Sequence, residues 1–377
     1  MFYKNARIFC SDFQFRTGAF EVTADGKFGQ ILPDAVPADA IDLGGATVIP
    51  GLIDVHIHGN SGADFSDGQP DGPQIMARYL AKNGITGFAP ASMTLPYDVL
   101  AQAFATARTL KDNRPADCAR LLGIHMEGPY FSEKKKGAQN GAYLKNPDIE
   151  GFRQLFADCA RLVGIVDVAP ELPGAEEFIR EAAKLCTVSV AHTDADYDHA
   201  KMAFQSGATH LTHLYNAMPA IHHRNPGVIP AAVEAPHVRA ELICDGFHIH
   251  PASVRLAFTM FGSERMILVS DALRCCGMPD GEYELGGQQV FLQGGIAKLA
   301  DGTIAGAATN LYGGMLNAIA FGISKEEAVL SATLHPAKAL GCDDEVGSIA
   351  PGKRADFVIC DEALNRQRVY IAGKEIA

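Results

Sequence analysis

Tryptophan is absent from this 377-residue chain, and so are CxxC pairs, internal repeats and low-complexity tracts. A repeat array is therefore excluded, and the remaining composition is that of an ordinary soluble globular protein. Surplus positive charge is missing too: 32 Lys and Arg face 44 Asp and Glu, a formal net charge of −12. That field repels polyanions, which argues against nucleic acid or anionic membranes as general partners. A phosphorylated small molecule would need a local cationic pocket. Long apolar runs are also lacking, since the stretch from Ala46 to Ile53 is broken by Pro50 and Gly51 and falls far short of a membrane span. The opening MFYKNARIFCSDF reads as neither signal peptide nor anchor. Nine scattered cysteines, odd in number, fit reduced thiols, and a cytoplasmic location is expected.

What is present changes texture along the chain. The first ~48 residues read as short strands with turns, including a hairpin signal at Asp25-Gly26. After Pro50, apolar strands alternate with helical stretches, the pattern of parallel βα units. Eight candidate strands are GLIDVHI, ITGFAPAS, LLGIHME, LVGIVDVAP, CTVSVAH, ATHLTHL, VRAELICD and RMILVSDA. Eight such units in roughly 220 residues predict a (β/α)8 TIM-like barrel. Past Asp271 come hairpins and then two helices, the second opening SKEEAVLSATLHPAKALG, where Ser324 and Glu327 form a capping box. The tail returns to short strands. The expected architecture is a barrel over residues 50–345 with a small β-sandwich domain built from residues 1–49 and 346–377.

Chemistry-bearing residues recur at the ends of these strands. In PGLIDVHIHG, His56 and His58 stand two apart on a strand and so present both imidazoles to one face. Burying two unpartnered imidazoles as packing would be costly, so a metal reading is favoured. Glu127 ends the third strand in HMEGP, His192 the fifth, His213 the sixth and Asp271 the eighth. Any one of these is commonplace. Their recurrence at one rim supplies the imidazole and carboxylate ligands of a hydrolytic metal site. His125 is read as supporting or packing, His210 as packed on the strand face opposite His213, and the Lys134-Lys135-Lys136 run as a solvated loop that lies at the functional rim and could add to the field of a phosphate.

The chain resembles the amidohydrolase superfamily and, within it, the branch of N-acetylglucosamine-6-phosphate deacetylases. PGLIDVHIH and the tail GSIAPGKRADFVI are shared widely in the superfamily, whereas HMEGP, HLYNAM and DGFHIHP are narrower. The resemblance implies Glu127, His192 and His213 as the principal metal ligands, Asp271 as general acid/base, and His56 and His58 as ligands of a second ion. It implies Asn216, Ala217, Arg224 and His248 as holding the sugar phosphate, with Arg224 reaching across from the other subunit of a homodimer. Ala138 and Thr309-Asn310-Leu311 match further substrate contacts. Relatives lacking the first His-x-His pair carry a carbonyl-polarising histidine where this chain has Gln139. A neutral amide supplies no cationic charge, so of the one or two divalent ions per subunit that the resemblance implies, an intact His56/His58 pair favours two, zinc or iron first, manganese or cobalt also compatible. The implied reaction is hydrolysis of the acetamide of N-acetylglucosamine 6-phosphate by metal-activated water, with Asp271 moving the proton. The rival readings are the galactosamine epimer, another amidohydrolase reaction on a phosphate-free amide, and an inactive scaffold.

Overall fold

The apolar runs after Pro50 become eight parallel strands in the computed structural model, which describes residues 1–377. They are β1 (Leu52–Ile57), β2 (Ile85–Pro90), β3 (Arg120–Leu121 resuming as Ile124–Met126), β4 (Val163–Val168), β5 (Thr187–Val190), β6 (His210–Leu211), β7 (Arg239–Ile243) and β8 (Met266–Val269). Every position of β1 and β2 is buried, as befits parallel strands covered on both faces. Helices separate successive strands: Gly72–Lys82, Tyr97–Asp112, Ile149–Asp158, Ala175–Ala182, Tyr197–Ser206, Val228–Glu234 and Pro251–Phe261. The result is a mixed α/β fold.

The strands pair in chain order as two parallel sheets, one running from β1 through β2 to the first half of β3 and the other from the second half of β3 to β8. The interruption of β3 at Leu122-Gly123 lends one piece to each sheet. Backbone hydrogen bonds also cross between the sheets at both margins. Ser92 N donates to His125 O at 2.9 Å on one side, while Asp271 N donates to His56 O and His58 N to Ala272 O, each at 2.9 Å, on the other.

The texture shared by the two chain ends has a direct cause, because both ends build one eight-stranded sheet. Strand Phe357–Cys360 inserts antiparallel beside Thr47–Pro50, which lies next to Phe2–Phe9. This sheet has its own apolar cluster of Tyr3, Phe20, Phe28, Phe357, Tyr370 and neighbours, with Phe357 and Tyr370 stacked at 4.5 Å between ring centroids. The expected hairpin turns at Asp25-Gly26. Gly26 has φ 76°, and a Cβ there would lie 2.5 Å from Ala372 O, so the turn must be glycine for it to meet the C-terminal strands.

Residues after Asp271 form an antiparallel meander, Gly281–Leu285, Gln288–Gln293, Ile296–Leu299 and Ile304–Ala307. Its Leu285, Val290 and Leu292 pack against Met93, Leu273 and Cys275, which seats it beside the ends of β2 and β8. The Ser324/Glu327 capping box is present. The helix it opens, however, is two helices, Lys325–Ala332 and Leu334–Ala339, following Leu311–Ala320. Pro336 has no N–H and its ring clashes with the carbonyl four residues back, so the chain breaks at Thr333 and Pro336 falls in the first turn of the new helix. No helix is long and apolar enough to cross a membrane.

Candidate active site

The strand ends bring six titratable side chains to one place. His56 and His58 lie at the end of β1, Glu127 follows β3, His192 follows β5, His213 follows β6 and Asp271 follows β8. His192, His213 and Asp271 leave their strands in left-handed backbone, φ 43°, 29° and 49°. Such conformations cost about 1–3 kcal/mol each and persist where the surroundings enforce them. His and Asp tolerate that region better than most residues. Backbone bonds hold the turn at Asp271: its N–H donates to His56 O at 2.9 Å and its carbonyl accepts from Ala307 N at 2.8 Å.

Glu127 is the centre of the group. Its Oε1 lies 3.1 Å from His192 Nε2, 3.2 Å from His213 Nε2 and 3.5 Å from His56 Nε2. Its Oε2 lies 3.2 Å from His58 Nε2, which in turn is 3.3 Å from Asp271 Oδ1. Three of the four rings are held from behind through Nδ1: His56 by Glu241 Oε2 at 2.9 Å, His58 by Ala91 O at 3.2 Å and His192 by Lys135 O at 2.9 Å. A ring that donates from Nδ1 presents its Nε2 lone pair forward, the arrangement of metal-binding imidazoles.

This donor set fits a divalent cation. The Nε2 atoms of His192 and His213 are 3.1 Å apart, and two lone pairs so placed repel unless positive charge lies between them. His56 Nε2 is buried with no hydrogen-bond partner. Two triads, Glu127/His192/His213 and His56/His58/Glu127, each offer buried ligand atoms close enough for one ion and share Glu127. The electrostatics agree. Burial opposes charge on Glu127, yet His56, His192 and His213 outweigh it and hold the carboxyl well below its usual range. Burial disfavours the His58 cation, but Asp271 and Glu127 raise its pKa to about 10. Asp271 is likewise kept below the ordinary carboxylate value, with His58 and His56 overcoming its burial.

A cavity of about 220 Å³ opens onto this cluster. Its wall includes His58, Glu127, His192, His213 and Asp271, together with Ala138, Gln139, Asn216, Ala217 and His248. His248 is oriented by Asp245, whose Oδ2 lies 2.7 Å from its Nδ1. Gln139 is engaged at both ends, accepting from Thr94 N at 2.7 Å and donating to Glu127 Oε2 at 2.6 Å. No lysine or arginine lines the cavity. Arg224 is exposed outside it, its guanidinium 2.7 Å from His223 Nε2. Thr309, Asn310 and Leu311 also lie outside it. Asn310 caps the helix Leu311–Ala320 and donates to Tyr79 Oη at 3.2 Å, and Leu311 is core. Within the lysine run, Lys134 pairs with Asp194 and Lys136 with Glu133, and only the Lys135 carbonyl reaches the site.

The amidohydrolase family model matches residues 47–376. The chain belongs to the amidohydrolase family. This amidohydrolase is 37% identical over 339 residues to N-acetylglucosamine-6-phosphate deacetylase of Vibrio furnissii, covering 89% of this chain and 84% of that one. It is 34% identical over 353 residues to N-acetylgalactosamine-6-phosphate deacetylase of Escherichia coli O157:H7, covering 93% of each. Among solved structures, a mutant of N-acetyl-D-glucosamine-6-phosphate deacetylase from Mycobacterium smegmatis, in complex with N-acetyl-D-glucosamine-6-phosphate, superposes with a TM-score of 0.93 at 31% identity. That match covers 100% of this chain and 99% of the other.

The amidohydrolase site also has a polar floor that strand-end reading overlooks. Glu241, in the middle of β7, is fully buried, and its Oε1 lies 2.9 Å from His210 Nε2. His125 spends both ring nitrogens on Val55 O and Asp167 Oδ1, each at 2.9 Å, and has none left for an ion. The signal was available as a carboxylate set inside each apolar run, Glu241 in VRAELICD and Asp167 in LVGIVDVAP. Thr303, Ile304 and Gly306 of the meander complete the cavity wall along with Met93, Leu273 and Leu285.

Proposed function

We propose that this amidohydrolase hydrolyses the acetamide of N-acetylglucosamine 6-phosphate to glucosamine 6-phosphate and acetate, in amino-sugar metabolism in the cytoplasm. The observation that carries the reading is the convergence of Glu127, His192, His213, His58 and Asp271 on one cavity, with His56 buried behind Glu127, in a chain whose relatives bear that activity in their names. Eight parallel strands with hydrogen bonds across both margins support a closed (β/α)8 barrel over residues 50–345. The separate aromatic cluster supports a small β-sandwich domain from residues 1–49 and 346–377.

Glu127, His192 and His213 would hold one ion, and His56 and His58 with Glu127 a second. A divalent cation there, zinc or iron first and manganese or cobalt also compatible, supplies charge that polarises the acetyl carbonyl and acidifies water. The protein's own groups do the rest. Asp271, ionised at neutral pH, takes the proton from attacking water and returns it to the sugar nitrogen as acetate leaves. Gln139 fixes the rotation of Glu127. Asn216, Ala217 and His248 line the sugar-phosphate end with Ala138, and Thr309-Asn310-Leu311 would contribute only by moving toward it. Since no lysine or arginine of the chain lines the cavity, Arg224 from the second subunit of a homodimer would supply the phosphate clamp.

The similarity to an N-acetylgalactosamine-6-phosphate deacetylase over 93% of both chains gives the epimer as a second reading. The test is acetate release from both phosphorylated sugars and from unphosphorylated N-acetylglucosamine. The glucosamine epimer should give the highest kcat/KM. Higher turnover of the galactosamine epimer would replace the assignment, and equal turnover of the unphosphorylated sugar would overturn the phosphate clamp.

A further inference from the structure

Of the rings that face Glu127, His56 alone is held from behind by a charged group, since His58 and His192 rest on backbone carbonyls. That group, Glu241, touches neither the cavity nor Glu127. A single oxygen, Oε2, accepts from His56 Nδ1 at 2.9 Å and from the backbone N–H of His213 at 3.2 Å. The other oxygen accepts from His210 Nε2 at 2.9 Å. His56 belongs to one candidate ion triad and His213 to the other, and His213 has the lowest positive φ of the site residues, 29°. His213 Nδ1 has no partner, so nothing behind its ring orients it. What fixes it is its backbone, whose N–H donates to Glu241 Oε2 while its carbonyl accepts from Asn216 N at 2.9 Å.

We propose that Glu241 is a positioning residue that couples the two ion sites, fixing the ring of His56 directly and that of His213 through its backbone. The proposal rests on the two-ion reading above. A carboxylate acceptor strengthens the Nδ1–H bond and makes the imidazole a better donor through Nε2. The same oxygen stabilises the left-handed turn that aims His213 at Glu127. One carboxylate on β7, the strand beside the one that carries His213, thus registers both triads against a common point. The His56/His125/Glu241 group is not a third ion site, because both nitrogens of His125 are already spent.

The test compares the wild-type enzyme with Glu241→Gln and Glu241→Asp, each stripped with chelator and titrated with cobalt(II), alongside kcat and KM. The neutral amide keeps the shape and loses the charge. In Glu241→Gln the ion held by His56 and His58 should bind about 10–100-fold more weakly, and the other ion should weaken less. The kcat should fall while KM holds. Glu241→Asp, which keeps the buried charge at shorter reach, should recover part of the affinity, and it serves alone if the Gln variant does not fold. Two wild-type isotherms in a folded variant would overturn the proposal, as would equal weakening of both ions together with an unfolding shift common to both variants. A wild-type enzyme that takes up only one ion would instead overturn the two-ion reading.

Discussion

Replacing Asp271 with Asn removes a proton acceptor while leaving the architecture around it in place. The bonds that hold the turn are backbone bonds, Asp271 N to His56 O and Ala307 N to Asp271 O. Asn tolerates a φ of 49° about as well as Asp does. Oδ1 faces His58 Nε2 at 3.3 Å and His56 Nε2 at 3.6 Å, contacts that an amide oxygen can keep in weaker form. Stability should therefore change little. The amide cannot accept and return a proton, and loss of a general acid/base costs about 10²–10⁴-fold in rate, or ~2.7–5.4 kcal/mol at 1.36 kcal/mol per decade. The assay is acetate release at saturating substrate on protein whose metal content and melting temperature match wild type. A variant so matched that kept more than about a third of wild-type kcat would refute the proton-transfer role.

Three further outcomes are expected. Glu127→Gln should lose metal by elemental analysis, because the one carboxylate shared by both triads becomes a neutral amide; undiminished metal would contradict the ligand assignment. In the ion-free protein Asp271 and Glu127 outweigh burial and hold His58 at a pKa of about 10, so a cation must displace its proton. Raising the pH from about 6 to about 8 should then tighten metal binding by ~10-fold per unit for each proton released, and a flat pH profile would refute this. Arg224→Ala should raise KM for the phosphorylated sugar ~10–100-fold, from loss of a charged hydrogen bond worth about 1.5–3 kcal/mol. Mixed with Asp271→Asn subunits it should regain activity in hybrid dimers, and no recovery after confirmed subunit exchange would place Arg224 in its own chain.

The rim of the site could be read from sequence because strand geometry does the placing. A His or Glu closing an apolar run emerges at one end of a parallel sheet, and the i, i+2 spacing of His56 and His58 assigns them one face. Glu241 escaped because it lies inside its run, where spacing to a strand end carries no information and only its partners His56 and His210 explain it. Gln139 could be seen to lack positive charge, but its double engagement with Thr94 and Glu127 depends on loop packing that no local pattern encodes. The interruption of β3 at Gly123 and of the late helix at Thr333 reflect tertiary pairing and the reach of Pro336, which overrode the periodicity on either side.

The strand Thr47–Pro50 leads straight into β1, yet one of its two neighbours is Phe357–Cys360, with Pro50 opposite Phe357. During synthesis on the ribosome, that edge emerges early and waits for a partner encoded more than three hundred residues later. Until it arrives, backbone donors and acceptors beside apolar Val48 and Ile49 are open to pairing with another nascent chain. Loop closure over so long a span is slow. Productive folding of this enzyme should therefore depend on how well that edge is shielded while the middle of the chain is made, and truncation before residue 357 should yield aggregation rather than a smaller folded protein.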